Sequence, residues 1–258
     1  MPLPVNKNPL SRSVFLPTAL LREARRQKRL ASVDVPATCV LDPDGDIVRR
    51  LRQTGLAQPF ENWPCYHTAL DTFVLGNQTV GIVGCAVGAP FAVLIAEELF
   101  ATGFQLLVSI TSAGQITPAG PTPYFVLIDR ALRDEGTSYH YAAPTEYSDA
   151  NPRLITMAVD ALNRTGMLVA VGSSWTTDAP FRETAEAIEA ARSKGILAVE
   201  MEAAALYAFA QAANKQILCL AHVTNTMGQS EQDFEKGEED GTADAMRILE
   251  ALVPRRES

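Results

Sequence analysis

The fold of this chain is decided by residues 78–110, QTVGIVGCAVGAPFAVLIAEELFATGFQLLVSI. Two apolar runs, QTVGIVGCAVG (78–88) and QLLVSI (105–110), flank a longer apolar segment, PFAVLIAEELFATG (90–103), which ends at Gly103. Short apolar runs of this kind are typical of buried strands, and a longer segment that ends in glycine is typical of a helix. The stretch therefore predicts a strand, a helix that covers it and a second strand.

The same alternation continues along most of the chain and predicts an α/β fold. We expect three α/β/α layers around a central mixed, mostly parallel sheet, with ligands at the carboxyl ends of its strands. Residues 1–36 are predicted to form an N-terminal arm and helix, and residues 37–258 a single domain. The connection between 110 and 151 is long and polar, and no strand is predicted in it. The other predicted elements are helices over 17–29, 151–163, 183–194, 203–215 and 242–253, and strands over 37–41, 167–174, 196–199 and 216–225.

The composition narrows the class of protein and its partners. The 258 residues are 47% hydrophobic and 20% charged, which is typical of a soluble globular protein. A formal charge of −8, from 22 basic and 30 acidic residues, argues against nucleic acid or an anionic membrane surface as a partner. The four cysteines lie far apart without a CxxC pair, so we interpret them as reduced thiols. A cytoplasmic location is expected, since no apolar run reaches signal-peptide or membrane-spanning length.

Several common catalytic and metal-binding motifs are missing from the sequence. The segment DPDGD (42–46) begins like a calcium loop, but its glycine is misplaced and Gln53 stands where the loop needs a bidentate glutamate. There is no Walker loop, no HExxH, no GxSxG and no GxGxxG after a strand. The three histidines are scattered, so we predict no metal site.

Two glutamates interrupt the apolar segment AVEMEAAALYAFA (198–210). An ionised carboxylate in an apolar setting costs several kcal/mol, roughly, unless it is exposed, protonated or bound to a partner. One explanation is a helix start that exposes Glu200 and Glu202, because acidic side chains are favoured there by the helix dipole. The other explanation is a ligand that needs a carboxylate.

Six segments, in order along the chain, resemble the nucleoside phosphorylase superfamily, of the uridine phosphorylase and purine nucleoside phosphorylase type. Each segment alone is weak, but six in register cover most of the chain beyond residue 37. They are GDIVR (45–49), VGAPFAVLIAEEL (87–99), SAGQITP (112–118), RDEGTSYHY (133–141), TTDAPFRET (176–184) and VEMEAAALY (199–207).

The resemblance implies a nucleoside phosphorylase-like fold and an enzyme. It implies a pentosyltransferase that cleaves the N-glycosidic bond of a nucleoside with phosphate, giving free base and ribose 1-phosphate. It also implies no metal or organic cofactor, with phosphate as co-substrate, and a homodimer or a hexamer made of three dimers. Ser109 stands where the resembled family places a second phosphate arginine. Two alternatives therefore stay open: a nucleoside hydrolase that uses water, and a non-catalytic nucleoside sensor on the same fold.

The resemblance also assigns residues to the phosphate and the ribose. Glu202 would bind the ribose hydroxyls, with Glu200 and Met201 beside it. The Gly45 backbone, the Arg49 guanidinium and Ser112 would bind phosphate, since arginine is suited to bidentate oxyanion binding. Glu202 and Arg49 are the predicted catalytic residues. An arginine that simply lies on a helix face remains an alternative for Arg49.

The base is assigned to a second group of residues by the same resemblance. Ala113 and Gly114 would leave backbone room for the base, and Arg182 would bind it through a carbonyl group. Trp175 could stack on the base, although a tryptophan at a strand end is as often part of the core.

Overall fold

The computed structural model describes residues 8–9, 11–227 and 234–253. Strands and helices alternate along it, as the sequence predicts. The strands are β1 (Thr38–Asp42), β2 (Gln58–Pro59), β3 (Asp71–Leu75), β4 (Gln78–Gly84), β5 (Leu106–Gln115), β6 (Tyr124–Asp134), β7 (Tyr147–Asp149), β8 (Val169–Thr177), β9 (Ala198–Glu200) and β10 (Gln216–Asn225). The α-helices are α1 (Pro17–Lys28), α2 (Asp46–Gln53), α3 (Ala89–Thr102), α4 (Pro152–Leu162), α5 (Ala185–Ser193), α6 (Ala203–Ala213) and α7 (Thr242–Leu252).

These strands join one mixed sheet, part of which closes on itself. Strands β4, β1, β5 and β10 lie side by side and run parallel. Next, β10 pairs antiparallel with β6, while β6 pairs parallel with β8 and β8 pairs parallel with β9. Strand β9 then pairs with the end of β5, so β5, β10, β6, β8 and β9 form a closed ring. The remaining strands, β2, β3 and β7, add antiparallel pairs at the margins.

Apolar side chains fill both faces of this sheet. Strand β1 is buried at all five of its positions, which is typical of a parallel strand covered on both faces. One core cluster lies between the sheet and helices α3 and α6, and a second lies between the sheet and helices α2, α4 and α7. The predicted α/β fold with helices on both faces of a mixed sheet is therefore confirmed.

The prediction of a long polar connection between 110 and 151 is wrong. Strand β5 continues through Gln115, and β6 runs through the middle of the segment. The first half of β6, YFVLI, is apolar, but its second half, DRALRD, carries four charged residues. This half is a strand because it pairs with β8 on one side and with β7 on the other. Both partners follow later in the chain, so the local pattern does not reveal the pairing.

The helix predicted over 17–29 is found as α1, where Leu21 and Ala24 are buried. Residues 1–7 and 10 of the predicted arm lie outside the described residues. The division into an arm and a single domain over 37–258 stays a prediction. None of the helices in the described ranges combines the length and the apolar character that crossing a bilayer requires.

One buried hydroxyl joins α6 to two strands and supplies a test of the core. Tyr207 is 1% exposed, and its hydroxyl donates to the Ile128 carbonyl at 2.6 Å and accepts from the Cys219 N–H at 3.0 Å. Tyr207→Phe should lower the free energy of unfolding by about 1–3 kcal/mol, because two buried backbone groups lose their partner. Urea denaturation measures this loss.

Tyr66→Phe is the matched control, since the Tyr66 hydroxyl is in an exposed bond to Gln27. Its free energy of unfolding should stay within about 0.5 kcal/mol of the wild-type value. Equal losses in the two variants would contradict the role assigned to the buried hydroxyl.

Candidate active site

The candidate site lies where the chain leaves the carboxyl ends of three strands. Strand β1 leads into the turn before α2, β5 carries Ser112 near its end, and β9 leads into α6. Glu202 immediately precedes α6, and Gly88 immediately precedes α3. Ligands of open α/β sheets bind at this edge, beyond the carboxyl ends of the strands.

Glu200, the last residue of β9, is buried and accepts four hydrogen bonds. The hydroxyls of Ser174 and Thr176 donate to its Oε1 at 2.9 and 2.5 Å. The backbone N–H groups of Glu202 and Ala203 both donate to its Oε2 at 2.7 Å. These four bonds fill the acceptor capacity of a carboxylate. Glu200 therefore has a supporting role, since it holds the start of α6, and its contact with ribose stays a prediction.

Glu202 is the carboxylate that remains available to a ligand. Its side chain is buried, and its Oε1 accepts from the Gly88 N–H at 2.7 Å. Its Oε2 is buried and has no hydrogen-bond partner among the described residues. A buried polar atom without a partner is costly, so Oε2 is suited to accept a bond from a ligand hydroxyl. The alternative of an exposed helix start is wrong, because Glu200 and Glu202 are both buried.

Burial raises the pKa values of both glutamates. Burial, followed by the neighbouring charge of Glu200, raises the pKa of Glu202 to about 8. The bond from the Gly88 N–H and the hydroxyl of Thr111 oppose this rise. Burial also raises the pKa of Glu200, although the bond from Thr176 opposes it. A strongly perturbed carboxyl group at the ligand-binding edge of a sheet is a candidate for function.

The turn between β1 and α2 is built around Asp42. Gly45 has φ of 78°, and a side chain on it would meet the Cys85 Sγ at 2.5 Å, so this position requires glycine. The Gly45 N–H donates to the Asp42 carbonyl at 3.0 Å and to its Oδ1 at 3.2 Å. The Val48 N–H donates to the Asp42 Oδ2 at 2.9 Å. The Gly45 N–H, which was assigned to phosphate, is thus engaged inside the turn.

Arg49 lies on α2 and is paired with an acidic neighbour. Its Nη2 donates to Asp46, and its side chain is 53% exposed. Asp46 is shared, because Lys236 donates to its other oxygen. A guanidinium has five N–H donors, so Arg49 keeps donors for a second anion. An incoming phosphate would nevertheless compete with Asp46 for this side chain.

Ser112 already holds a carboxylate of the protein. It lies within β5, half-buried, and its backbone N–H donates to the Asp44 Oδ2 at 2.6 Å. Asp44 belongs to the same turn as Gly45, and its charge also contributes to the pKa shifts of Glu202 and His222. The Ser112 N–H is therefore occupied by Asp44, while the phosphate contact predicted for Ser112 stays a prediction.

The structure favours the core alternative for Trp175, and its contact with the base stays a prediction. Trp175 is 5% exposed and packs in a small core cluster with Ile116 and Val199. Its indole N–H donates to the Asp134 Oδ2 at 3.0 Å. With its N–H satisfied and its ring buried, Trp175 belongs to the core, which is the alternative the sequence left open.

The other three residues assigned to the base lie in different settings. Arg182 is exposed and ends a short 3-10 turn that starts at Pro180. Gly114 lies in β5, where a side chain would meet the Met227 Sδ at 2.2 Å. Ala113 is buried in the larger core cluster. The contacts of Ala113, Gly114 and Arg182 with a base stay predictions.

Sequence reasoning missed three residues that build this site. Ser174 and Thr176 hold Glu200, and they are two residues apart on β8, so both point to the same face. The run SSWTT (173–177) carries hydroxyls on both faces of the strand, so the sequence alone does not single out this pair. Asp44 is the third, and nothing in the segment DPDGD distinguishes it from the other two aspartates.

Comparison with known proteins places the chain in a family. A family model described as the phosphorylase superfamily matches residues 38–254, which is most of the chain. The chain belongs to the phosphorylase superfamily. The resemblance identified in the six sequence segments is thereby confirmed.

Individual members of the phosphorylase superfamily are similar to this chain at low identity. A DeoD-type purine nucleoside phosphorylase of Colwellia psychrerythraea is 27% identical over 185 residues, 69% of this chain and 77% of the relative. A DeoD-type enzyme of Bacillus cereus is 27% identical over 167 residues, 62% of this chain and 71% of the relative. The crystal structure of uridine phosphorylase from Vibrio fischeri superimposes with a TM-score of 0.70 at 19% identity, and covers 84% of this chain and 90% of that one. The structural likeness supports the fold.

The described part of the chain contains no candidate metal site. No group of three or more His, Cys, Asp or Glu side chains in that part of the chain is placed to hold a metal ion. The three aspartates of the β1–α2 turn are instead satisfied by protein donors or by basic side chains.

The raised pKa of Glu202 predicts how the stability of the protein depends on pH. Because its pKa rises from 4.5 to about 8 on folding, the native state keeps a proton that the unfolded state releases. The favourable contribution is complete below pH 4.5 and is lost as pH rises through the folded pKa, by up to about 1.4 kcal/mol per pH unit. Glu202→Gln removes this titration, so the variant should lose less stability than the wild type between about pH 5 and pH 8.

Urea denaturation across that pH interval measures the difference between the two proteins. Asp42, whose pKa burial raises to about 7, titrates in both and therefore cancels in the comparison. Glu189→Gln, an exposed substitution on α5, is the control and should follow the wild type. Parallel pH profiles for wild type and Glu202→Gln would refute the perturbed titration.

Proposed function

We propose that this member of the phosphorylase superfamily is a pentosyltransferase that cleaves the N-glycosidic bond of a nucleoside. Phosphate is the acceptor in this proposal, and the products are the free base and ribose 1-phosphate. The observation that carries it is Glu202, a buried carboxylate whose Oε2 has no partner among the described residues. The names of the relatives, purine nucleoside phosphorylase and uridine phosphorylase, support the same class of reaction.

Glu202 can assist this reaction through its charge and its hydrogen bonds. When the glycosidic bond breaks, the electron pair leaves with the base and positive charge develops on the ribose ring. Ribose hydroxyls that donate to Glu202 favour its ionised form against the raised pKa of the free site. The ionised carboxylate then accepts bonds from the 2′ and 3′ hydroxyls, orients the ring and stabilises that charge. Burial strengthens the interaction because water screens it less. Met201, half-buried beside Glu202, is assigned to the ribose face.

The acceptor site is assigned to Arg49 and Ser112. Arg49 offers a planar pair of donors that matches a phosphate oxyanion. In the structure its guanidinium is shared with Asp46, and the Ser112 N–H is held by Asp44. Phosphate would exchange with these carboxylates when it binds and would then accept bonds from the same donors. Attack of a phosphate oxygen on ribose C1′ forms the new bond while the base departs.

Hydrolysis is the second candidate, and the contact between Asp44 and Ser112 favours it. Water carries no charge, so carboxylates around the acceptor site do not repel it. Ser109, which stands where the resembled family has a second phosphate arginine, is buried and adds no positive charge. In this version Glu202 still holds the ribose, and the products are free base and ribose.

Three further properties remain expectations under this proposal. The reaction should need neither a metal nor an organic cofactor, because side chains and backbone can handle the acceptor and the leaving base. The protein should form a homodimer or a hexamer of three dimers in the cytoplasm. Arg182 and Gly114 should contact the base, which no observation identifies as purine or pyrimidine.

A panel of purine and pyrimidine nucleosides, incubated with and without inorganic phosphate, tests the proposal directly. Chromatography should detect free base together with ribose 1-phosphate, and only when phosphate is present. Base and free ribose at the same rate without phosphate would establish the hydrolase instead. Saturable nucleoside binding in calorimetry, with no base released under either condition, would establish the non-catalytic sensor.

Substitution of Glu202 tests the observation on which the proposal depends. Glu202→Ala should lower kcat/KM for the nucleoside by a factor on the order of 10² to 10³, because the charge that stabilises the ribose cation is removed. Glu202→Asp keeps the charge but shortens the side chain, and it should retain part of the lost activity. Thermal melting should show that both variants fold. Wild-type turnover in Glu202→Ala would remove the basis of the proposal.

A further inference from the structure

Each carboxylate of the turn DPDGD (42–46) accepts hydrogen bonds. Among the described residues, only Asp44 accepts one from a strand of the site, β5. Asp42 accepts from the Gly45 and Val48 N–H groups and so holds the turn itself. Asp46 pairs with basic side chains on its exposed side. Asp44 accepts from the Ser112 N–H on β5, at 2.6 Å. The fold of the turn is thus explained by Asp42, and the contact of Asp44 requires a separate explanation.

The Asp44 carboxylate occupies a position that suits an external anion. A backbone N–H at the carboxyl end of a parallel strand is a natural donor to an oxyanion, and a distance of 2.6 Å is that of a strong, charge-assisted bond. While Asp44 accepts this bond, a phosphate oxygen cannot. Its charge acts on Glu202 as well, so it adds negative potential to the same site.

The space beside this contact is small. A cavity of about 20 Å³ lies between the turn and β10, and its lining includes Asp44, Ser112 and His222. That volume holds roughly one water molecule. Because the Ser112 N–H already donates to the Asp44 Oδ2, a phosphate oxygen that takes this bond would displace the Asp44 side chain.

We propose that Asp44 determines how well this protein accepts phosphate: its carboxylate competes with phosphate for the Ser112 N–H and repels it from the site. Asp44 is in this sense a specificity-determining residue for the acceptor, and removal of its side chain opens the site to phosphate. The inference rests on the assignment of Ser112 to the acceptor in the proposed function. Binding of inorganic phosphate can be measured without turnover, so the two proposals can fail separately.

The test compares binding of inorganic phosphate to the wild type, Asp44→Ala and Asp44→Asn by titration calorimetry. Asp44→Ala removes both the charge and the competing oxygen, and it should lower the Kd for phosphate by about tenfold or more. Asp44→Asn removes the charge but keeps an oxygen that can accept from the Ser112 N–H, so its effect should be smaller. Thermal melting confirms that each variant folds.

Asp160→Ala is the matched control. Asp160 is exposed on α4, and its substitution removes the same charge far from the turn. The Kd for phosphate of this variant should equal that of the wild type, which separates a local effect from a change in net charge. An equal gain in affinity for Asp160→Ala and Asp44→Ala would overturn the proposal.

Steady-state kinetics with a nucleoside substrate supply a second readout. The KM for phosphate should fall in Asp44→Ala by a larger factor than any change in the KM for the nucleoside. An unchanged or raised Kd for phosphate would overturn the role of Asp44. The role would also be overturned if Asp44→Ala no longer released base in the absence of phosphate and did not bind phosphate more tightly. Asp44 would then act on water. If no variant releases base but Asp44→Ala binds phosphate more tightly, the proposed function fails and the role of Asp44 stands.

Discussion

The Glu200 carboxylate links strand β8 to the start of helix α6, next to a direct bond from the Ala204 N–H to the Thr176 hydroxyl. It accepts from hydroxyls on β8 through one oxygen and from the first N–H groups of α6 through the other. A helix start buried without partners for its N–H groups would be costly, so this arrangement satisfies a requirement of the fold. It also fixes the backbone of Glu202 beside α3. The position of Glu202, which can bind a ligand, thus depends on Glu200, whose oxygens already accept four hydrogen bonds.

The closed part of the sheet explains why donors from distant segments converge at this point. Strand β5 pairs with β10 along its length and with β9 at its end, so the ring brings β9, and the residue after it, against Ser112 and its neighbours. Strand β1 also pairs with β5, and the DPDGD turn that follows β1 lies at the same edge of the sheet. Three segments separated by more than sixty residues each therefore share one edge.

Much of the fold could be predicted from the sequence because most elements carry their own periodic pattern. Strand β10 has the predicted bounds, and helices α1 and α5 begin or end within about two residues of them. Strand β6 could not be predicted, because its charged half is held by strands that follow later in the chain. The same limit applies to the site. Burial of Glu202 follows from the tertiary position of α6, and burial of Trp175 from the packing around it.

Charge is what separates the ribose side of this site from its acceptor side. On the ribose side, the Glu202 Oε2 is buried without a hydrogen-bond partner among the described residues, and its carboxylate suits the positive charge of a departing ribose. On the acceptor side, the Gly45 N–H, the Arg49 Nη2 and the Ser112 N–H each donate to a carboxylate of the same turn. An anion that binds there has to replace an intramolecular partner of the same sign. The affinity of the anion therefore depends on the difference between its own bonds to these donors and the bonds that the carboxylates of the turn now make. A single side chain of the turn can thus shift the preference between phosphate and water.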